Sequence, residues 1–154
     1  MAAQDWAMCN ADTGEIQYIM SVADNTLYTN GGTHDSLKTI LVSAELDHVE
    51  LIDLHYYDYS DTAFKSRTAR PTAYYKWNTS KQWEVDTTTL MADLRADRNF
   101  KLDECDWTQL ADSPLTDEKK AEWVTYRQSL RDITKDLKSD LDTLDGFGWP
   151  AVPS

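Results

Sequence analysis

The feature that most constrains this chain is a change of periodicity at Asp86. Before it, apolar residues come in short runs broken by turn residues; after it, they recur every three or four positions. A period of two sends successive side chains to opposite faces of a strand, whereas steps of three and four line one face of a helix. The chain therefore reads as α+β. An N-terminal antiparallel β region with hairpins is expected over 1–85, and a C-terminal antiparallel helical hairpin with an extended tail over 86–154. The 154 residues are enough for a hydrophobic core without disulfides or metals.

In the first part, Asp5–Asn10 and Glu15–Val22 flank the turn Ala11-Asp12-Thr13-Gly14, and Lys38–Ser43 is a β-branched strand. Residues 45–59 fit neither period and are read as extended, ending in the cluster His55-Tyr56-Tyr57-Asp58-Tyr59; 61–71 is read as a loop. Ala73–Trp77 and Gln82–Val85 form a hairpin about Asn78–Lys81, with Tyr75 and Trp77 on one face and Trp83 joining them across the strands. Thr87–Thr89 then offer capping hydroxyls to a helix with the stripe Leu90, Leu94, Arg98, Leu102 and Cys105, widened by Met91. Pro114 forbids a continuous helix. Thr116 caps a second one, whose seam is Trp123, Tyr126, Leu130, Ile133 and Leu137, prolonged through Leu141 and Leu144 to Gly146 and Gly148.

The net charge of −12 argues against nucleic acid as a partner, since phosphate binding needs clustered Lys and Arg. The charge is uneven. Residues 1–58 carry acids and a single base, Lys38, whereas 62–83 carry Lys65, Arg67, Arg70, Lys76 and Lys81 and no acid. The two blocks pair with each other, pair with a neighbouring subunit, or stay solvated. Cys9 and Cys105 belong to no Cys/His cluster, so they are read as reduced thiols. His48 and His55, with Asp47, Asp53 and Asp58 nearby, lack metal-ligand spacing. There is no nucleophile–base signature and no phosphate-binding glycine loop. No secretion signal and no apolar run of about 20 residues are found, so no membrane association and a cytoplasmic setting are expected. The reading is a non-enzymatic binding module without cofactor or metal.

Linked motifs in the second half narrow this further. Arg98-Asn99-Phe100-Lys101-Leu102 is followed by Asp106-Trp107-Thr108-Gln109-Leu110, by Asp112-Ser113-Pro114-Leu115, by Trp123-Val124-Thr125-Tyr126-Arg127-Gln128-Ser129-Leu130-Arg131-Asp132 and by Trp149-Pro150-Ala151-Val152-Pro153. This order resembles the bacteriophage tail-assembly-chaperone family, with its pattern DWTQL, then W-x-x-YR-x-x-LRD, then a WP ending. Tyr75-Lys76-Trp77 and Trp83 resemble a hairpin found ahead of that domain in tail-fibre accessory proteins. The resemblance covers about half the chain, from Trp77 to Pro153. The leucine-rich 137–144 stretch is longer than the family's link, and the N-terminal half carries no family signature.

The resemblance implies a protein that binds a phage tail-fibre, tail-tip or baseplate protein and assists its assembly in the host cytoplasm. The alternatives are a permanent virion subunit, retained in the tail as adaptor or cap, and, more remotely, an envelope-degrading enzyme. Self-association into a homo-oligomer stays open. Trp107, Tyr126, Arg127, Arg131, Trp149 and Pro150 are the candidate partner-binding residues. Asp106, Trp123, Leu130 and Asp132 are expected to hold the structure: Asp106 capping the turn after the first helix, Trp107 and Trp123 locking the helices, and Arg127 and Arg131 presenting a two-armed cationic face beside Asp132.

Overall fold

The computed structural model describes residues 3–24, 26–43, 46–135 and 140–154. The chain divides into two compact units, Met1–Pro71 with Tyr75–Glu84, and Thr72–Tyr74 with Val85–Ser154. The mixture is α+β, with antiparallel strands in the N-terminal part and the two long helices after Asp86.

The first unit is built on a four-stranded sheet in the order β2-β1-β4-β3, from β1 (Gln4–Asn10), β2 (Ile16–Val22), β3 (Gly32–His34) and β4 (Leu37–Val42). β1 is central and pairs antiparallel with both β2 and β4. Its position explains its composition: Trp6, Ala7, Met8 and Cys9 are all buried, so both faces of the strand are covered. Ala7 and Cys9 meet Ile16, Ile40, Val42, Leu51 and Tyr57 in the core. Burial also pushes the Cys9 thiol up to about 12, so it stays protonated and packs as a small apolar group.

Two sequence readings are corrected in this unit. The stretch expected to be extended contains helix α1 (His48–Leu54), followed by strand β5 (His55–Asp58). The Asp47 carboxylate accepts from Glu50 N–H and starts the helix, a capping signal that the irregular spacing of Leu46, Val49, Leu51 and Ile52 obscured. The expected loop contains β6 (Ala63–Ser66), antiparallel to β5. Polarity misled here, because β6 gives the core only Phe64, while the buried tyrosines Tyr56 and Tyr57 are on β5.

Asp58 lies well below the ordinary carboxylate range. The Ser60 hydroxyl is the main cause, with Lys65, 3.2 Å away, next. A carboxyl depressed in the folded state contributes stability above its unfolded pKa and loses it as pH falls through the folded value. We expect Asp58→Asn to flatten the acid limb of thermal stability below about pH 4, read as Tm against pH. An unchanged acid limb would remove Asp58 from that role.

The cations of the basic stretch make contacts inside their own unit. Arg67 lies over the Trp77 and Trp83 rings at 5.0 and 4.6 Å, contacts Glu15 at 3.3 Å and donates to the Ile52 carbonyl at 2.9 Å. Lys65 pairs with Asp58 and Asp61, Lys76 with Glu84, and Arg70 donates to the Tyr75 carbonyl. Lys81 reaches the Thr13 carbonyl and the Tyr56 ring. Trp77 and Trp83 pack at 5.1 Å across the ribbon of β7 (Tyr75–Trp77) and β8 (Trp83–Val85), as the hairpin reading expects.

The second unit carries α2 (Thr87–Glu104), a 3-10 turn (Asp106–Gln109) and α3 (Asp117–Asp132). The cap of α2 is Asp86, whose side chain accepts from Thr88 and Thr89 N–H, and the threonines are its clients. Thr116 caps α3 by accepting from Lys119 N–H, as expected. The seam assigned beyond Ile133 is corrected. α3 ends at Asp132, and Leu141 and Leu144 lie outside any helix; Leu137 lies outside the described residues. The two leucines are half-buried without helical backbone, so their spacing mimicked a longer helix. Among the described residues no helix is long and apolar enough to cross a membrane.

Candidate docking site in the C-terminal unit

The C-terminal residues of α2 explain the chemistry of this site. The last carbonyls of a helix have no partner within it. Here the Leu102 carbonyl accepts from the Cys105 N–H and, at 2.7 Å, from Arg127 Nη1 on α3. The same Nη1 lies 3.0 Å from Cys105 Sγ, and Nη2 donates to the Asp106 carboxylate at 2.6 Å. One planar guanidinium thus ties α3 to the end of α2 and to the first residue of the 3-10 turn. Burial opposes its charge, but the hydrogen bonds to Asp106 and Cys105 more than offset this, and its pKa lies above the ordinary arginine value.

Asp106, expected to cap the turn, makes no cap hydrogen bond there; its carboxylate is the outer end of the Arg127 fork. The turn is closed by Thr108 instead. Its hydroxyl donates to the Cys105 carbonyl at 2.6 Å, and the residue is buried. A threonine three residues after Cys105 was the signal available in the sequence for this role.

Beneath the fork, Cys105, Tyr126 and Leu130 form the buried cluster, with Leu102, Trp123 and Trp149 packed against it. Trp123 lies edge-on to Tyr126 at 5.6 Å and to Trp107 at 6.2 Å. Trp149 carries Lys101 Nζ over its ring at 4.9 Å and Phe147 at its edge at 5.0 Å.

The candidate residues thus separate by exposure. Tyr126 and Arg127 are each only 7% exposed and spend their surface inside the unit. Arg127 therefore shares no free cationic face with Arg131, which is exposed. Trp149 and Pro150 are half-buried, Trp149 against the cluster. Asp132 accepts from Gln128 and pairs with Lys135. Trp107 stands out at 46% exposed, with Phe100 and Leu110 also exposed nearby in sequence. Sequence reading did not single out Phe100 and Leu110, because exposure of single apolar residues leaves no pattern.

Among the described residues no group of three His, Cys, Asp or Glu side chains is placed to hold a metal ion. What the unit offers is an aromatic surface on a frame fixed by a buried cation, a class of site suited to binding. The family model of the phage tail assembly chaperone protein matches residues 91–154. The match leaves residues 1–90 outside it. No curated protein and no solved structure matches the chain.

Proposed function

We propose that the protein is a non-enzymatic phage tail-assembly factor that binds a tail-fibre or tail-tip polypeptide and assists its assembly in the host cytoplasm. Division of labour at about residue 85 fits this reading, with the family segment paired into a helical hairpin that presents the docking residues. The supporting observation is Trp107: a large aromatic inside the family motif, almost half exposed, on a turn that Arg127 and Thr108 hold from behind. An exposed indole on a rigid support binds with little loss of conformational freedom. Binding shields the partner's apolar surface, and no bond is made or broken. Exposed Arg131 adds charge at the end of α3.

The test is co-expression of the tagged full chain with each tail protein of its phage. We expect one fibre or tail-tip polypeptide to co-purify and gain solubility, and Trp107→Ser to reduce its recovery about tenfold, as removal of an anchoring Trp does. Circular dichroism serves as the check on folding. Mass spectrometry of purified particles separates two outcomes: absence from particles supports an assembly factor, and stoichiometric presence replaces it with a permanent tail subunit. Full recovery of the partner by Trp107→Ser excludes this surface as the docking site.

A further inference from the structure

Trp149 anchors a segment, 147–154, that forms no helix or strand. Its indole packs against the Cys105, Tyr126 and Leu130 cluster, with Lys101 Nζ over the ring at 4.9 Å and Phe147 at its edge at 5.0 Å. Backbone bonding adds little. The Trp149 N–H turns back to the Phe147 carbonyl at 2.9 Å. Among the described residues, the one hydrogen bond joining 149–154 to α2 or α3 runs from Lys119 Nζ to the Ser154 carbonyl, in an exposed setting. Ala151 and Val152 are exposed. The segment is therefore seated chiefly by one aromatic side chain and not by a ladder of backbone bonds.

That seat adjoins the docking residue. Trp123 packs on the same cluster as Trp149 and meets Trp107 at 6.2 Å. The four form one continuous apolar run, exposed at the Trp107 end and covered by Trp149 at the other. Anchoring side chains at interfaces gain most when they fill a desolvated pocket, and the place of Trp149 is such a pocket. Left open, it would add an apolar patch of the kind that associates unspecifically. A cover supplied by the same chain avoids this, since a tethered segment acts at an effective concentration in the millimolar range. A separate ligand with more contacts still displaces it. Pro150 and Pro153 have a fixed φ, so the segment loses little freedom each time it seats.

We propose that 147–154 is a displaceable cover, and that an aromatic–proline segment of the partner polypeptide takes its place on the Cys105, Tyr126 and Leu130 cluster under Lys101. The occupant now in the site defines the chemistry: an aromatic ring followed by proline, its π face turned to a lysine cation. This displacement rests on the tail-assembly role proposed above and extends its docking surface from Trp107 to the seat of Trp149.

The probe is a fluorescein-labelled peptide of residues 146–153, Gly146-Phe147-Gly148-Trp149-Pro150-Ala151-Val152-Pro153, followed by anisotropy against the full chain. We expect it to bind the Trp149→Ala chain at least about tenfold more tightly than the unaltered chain, whose own segment competes. The same peptide carrying Trp149→Ser should not bind. Adding Lys101→Ala to the Trp149→Ala chain should weaken binding about threefold. Circular dichroism checks the fold. A second readout needs no destabilising change: in the chain grown with fluorotryptophan, excess peptide should move the Trp149 fluorine resonance, assigned with Trp149→Phe, to its solvent-exposed position. The co-purified partner should do the same. No binding to folded Trp149→Ala, equal binding to both chains, equal binding of the Ser peptide, or a Trp149 signal left in place by peptide or partner would each overturn the displacement. If no tail protein co-purifies at all, the tail-assembly role itself fails, while the peptide result still reports on the seat.

Discussion

Gly14→Ala is expected to destabilise the N-terminal unit by at least about 3 kcal/mol, combining left-handed backbone strain with a steric clash. Gly14 sits at φ +73°, and a Cβ built there would lie 1.9 Å from the Tyr57 carbonyl oxygen. The neighbour is backbone, so no rotamer change relieves the overlap. The turn cannot simply step away either. Gly14 accepts from the Tyr57 N–H at 2.9 Å, Tyr59 donates its hydroxyl to the Asn10 carbonyl at 2.9 Å, and Lys81 reaches the Thr13 carbonyl at 2.8 Å. Displacing the β1–β2 turn breaks this set and uncovers Tyr57, which belongs to the core. Gly31→Ala is the matched control: φ is +80°, yet nothing lies within 4 Å, so it should cost only about 1 kcal/mol of backbone strain. Urea unfolding followed by circular dichroism measures both. If the two variants lose the same stability, the close approach at Tyr57 contributes nothing and the docking of this turn on β5 is not what holds it.

The sequence made Gly14 visible as a turn residue but did not disclose its contact, because Tyr57 lies on a strand that pairs elsewhere in the chain. This divides what was legible from what was not. Elements specified by local chemistry were readable: the first two strands about Asp12-Thr13-Gly14, the Trp77–Trp83 hairpin, and α3 with its Thr116 cap. Elements whose stability comes from tertiary packing were not. α1 has seven residues, too few for a periodic stripe, and buries Leu51 in the sheet's core. In the second unit the residues of the family motif were legible as types but not as exposures. Tyr126 and Arg127 look like surface candidates in a string of letters, and burial is decided by what the end of α2 needs. The physical clue was the end of a helix, whose last carbonyls take partners from outside the helical ladder; Arg127 adds one to the Leu102 carbonyl that the Cys105 N–H already meets.

Arg127→Met should therefore lower the stability of the C-terminal unit by about 2–4 kcal/mol, the range for losing charged hydrogen bonds to buried acceptors. Methionine is shorter but keeps the apolar stem of the side chain, so packing beside the Cys105, Tyr126 and Leu130 cluster is largely preserved. What is lost is the fork to the Leu102 carbonyl and Cys105 Sγ on one nitrogen and to Asp106 on the other. The two halves of the fork carry unequal weight. The Asp106 side chain is 64% exposed, and such a pair contributes at most about 1 kcal/mol after solvent screening. Asp106→Asn should cost no more than that. Arg127→Lys should recover little, because one ammonium cannot span both arms of a planar fork. Urea unfolding followed by tryptophan fluorescence reports on all six tryptophans, so amide hydrogen exchange at residues 101–105 is the readout specific to the end of α2. A loss for Asp106→Asn equal to that for Arg127→Met would move the energetic centre to the ion pair. The expected order, arginine far above aspartate, places it at the buried helix end, where Arg127 Nη1 meets the Leu102 carbonyl.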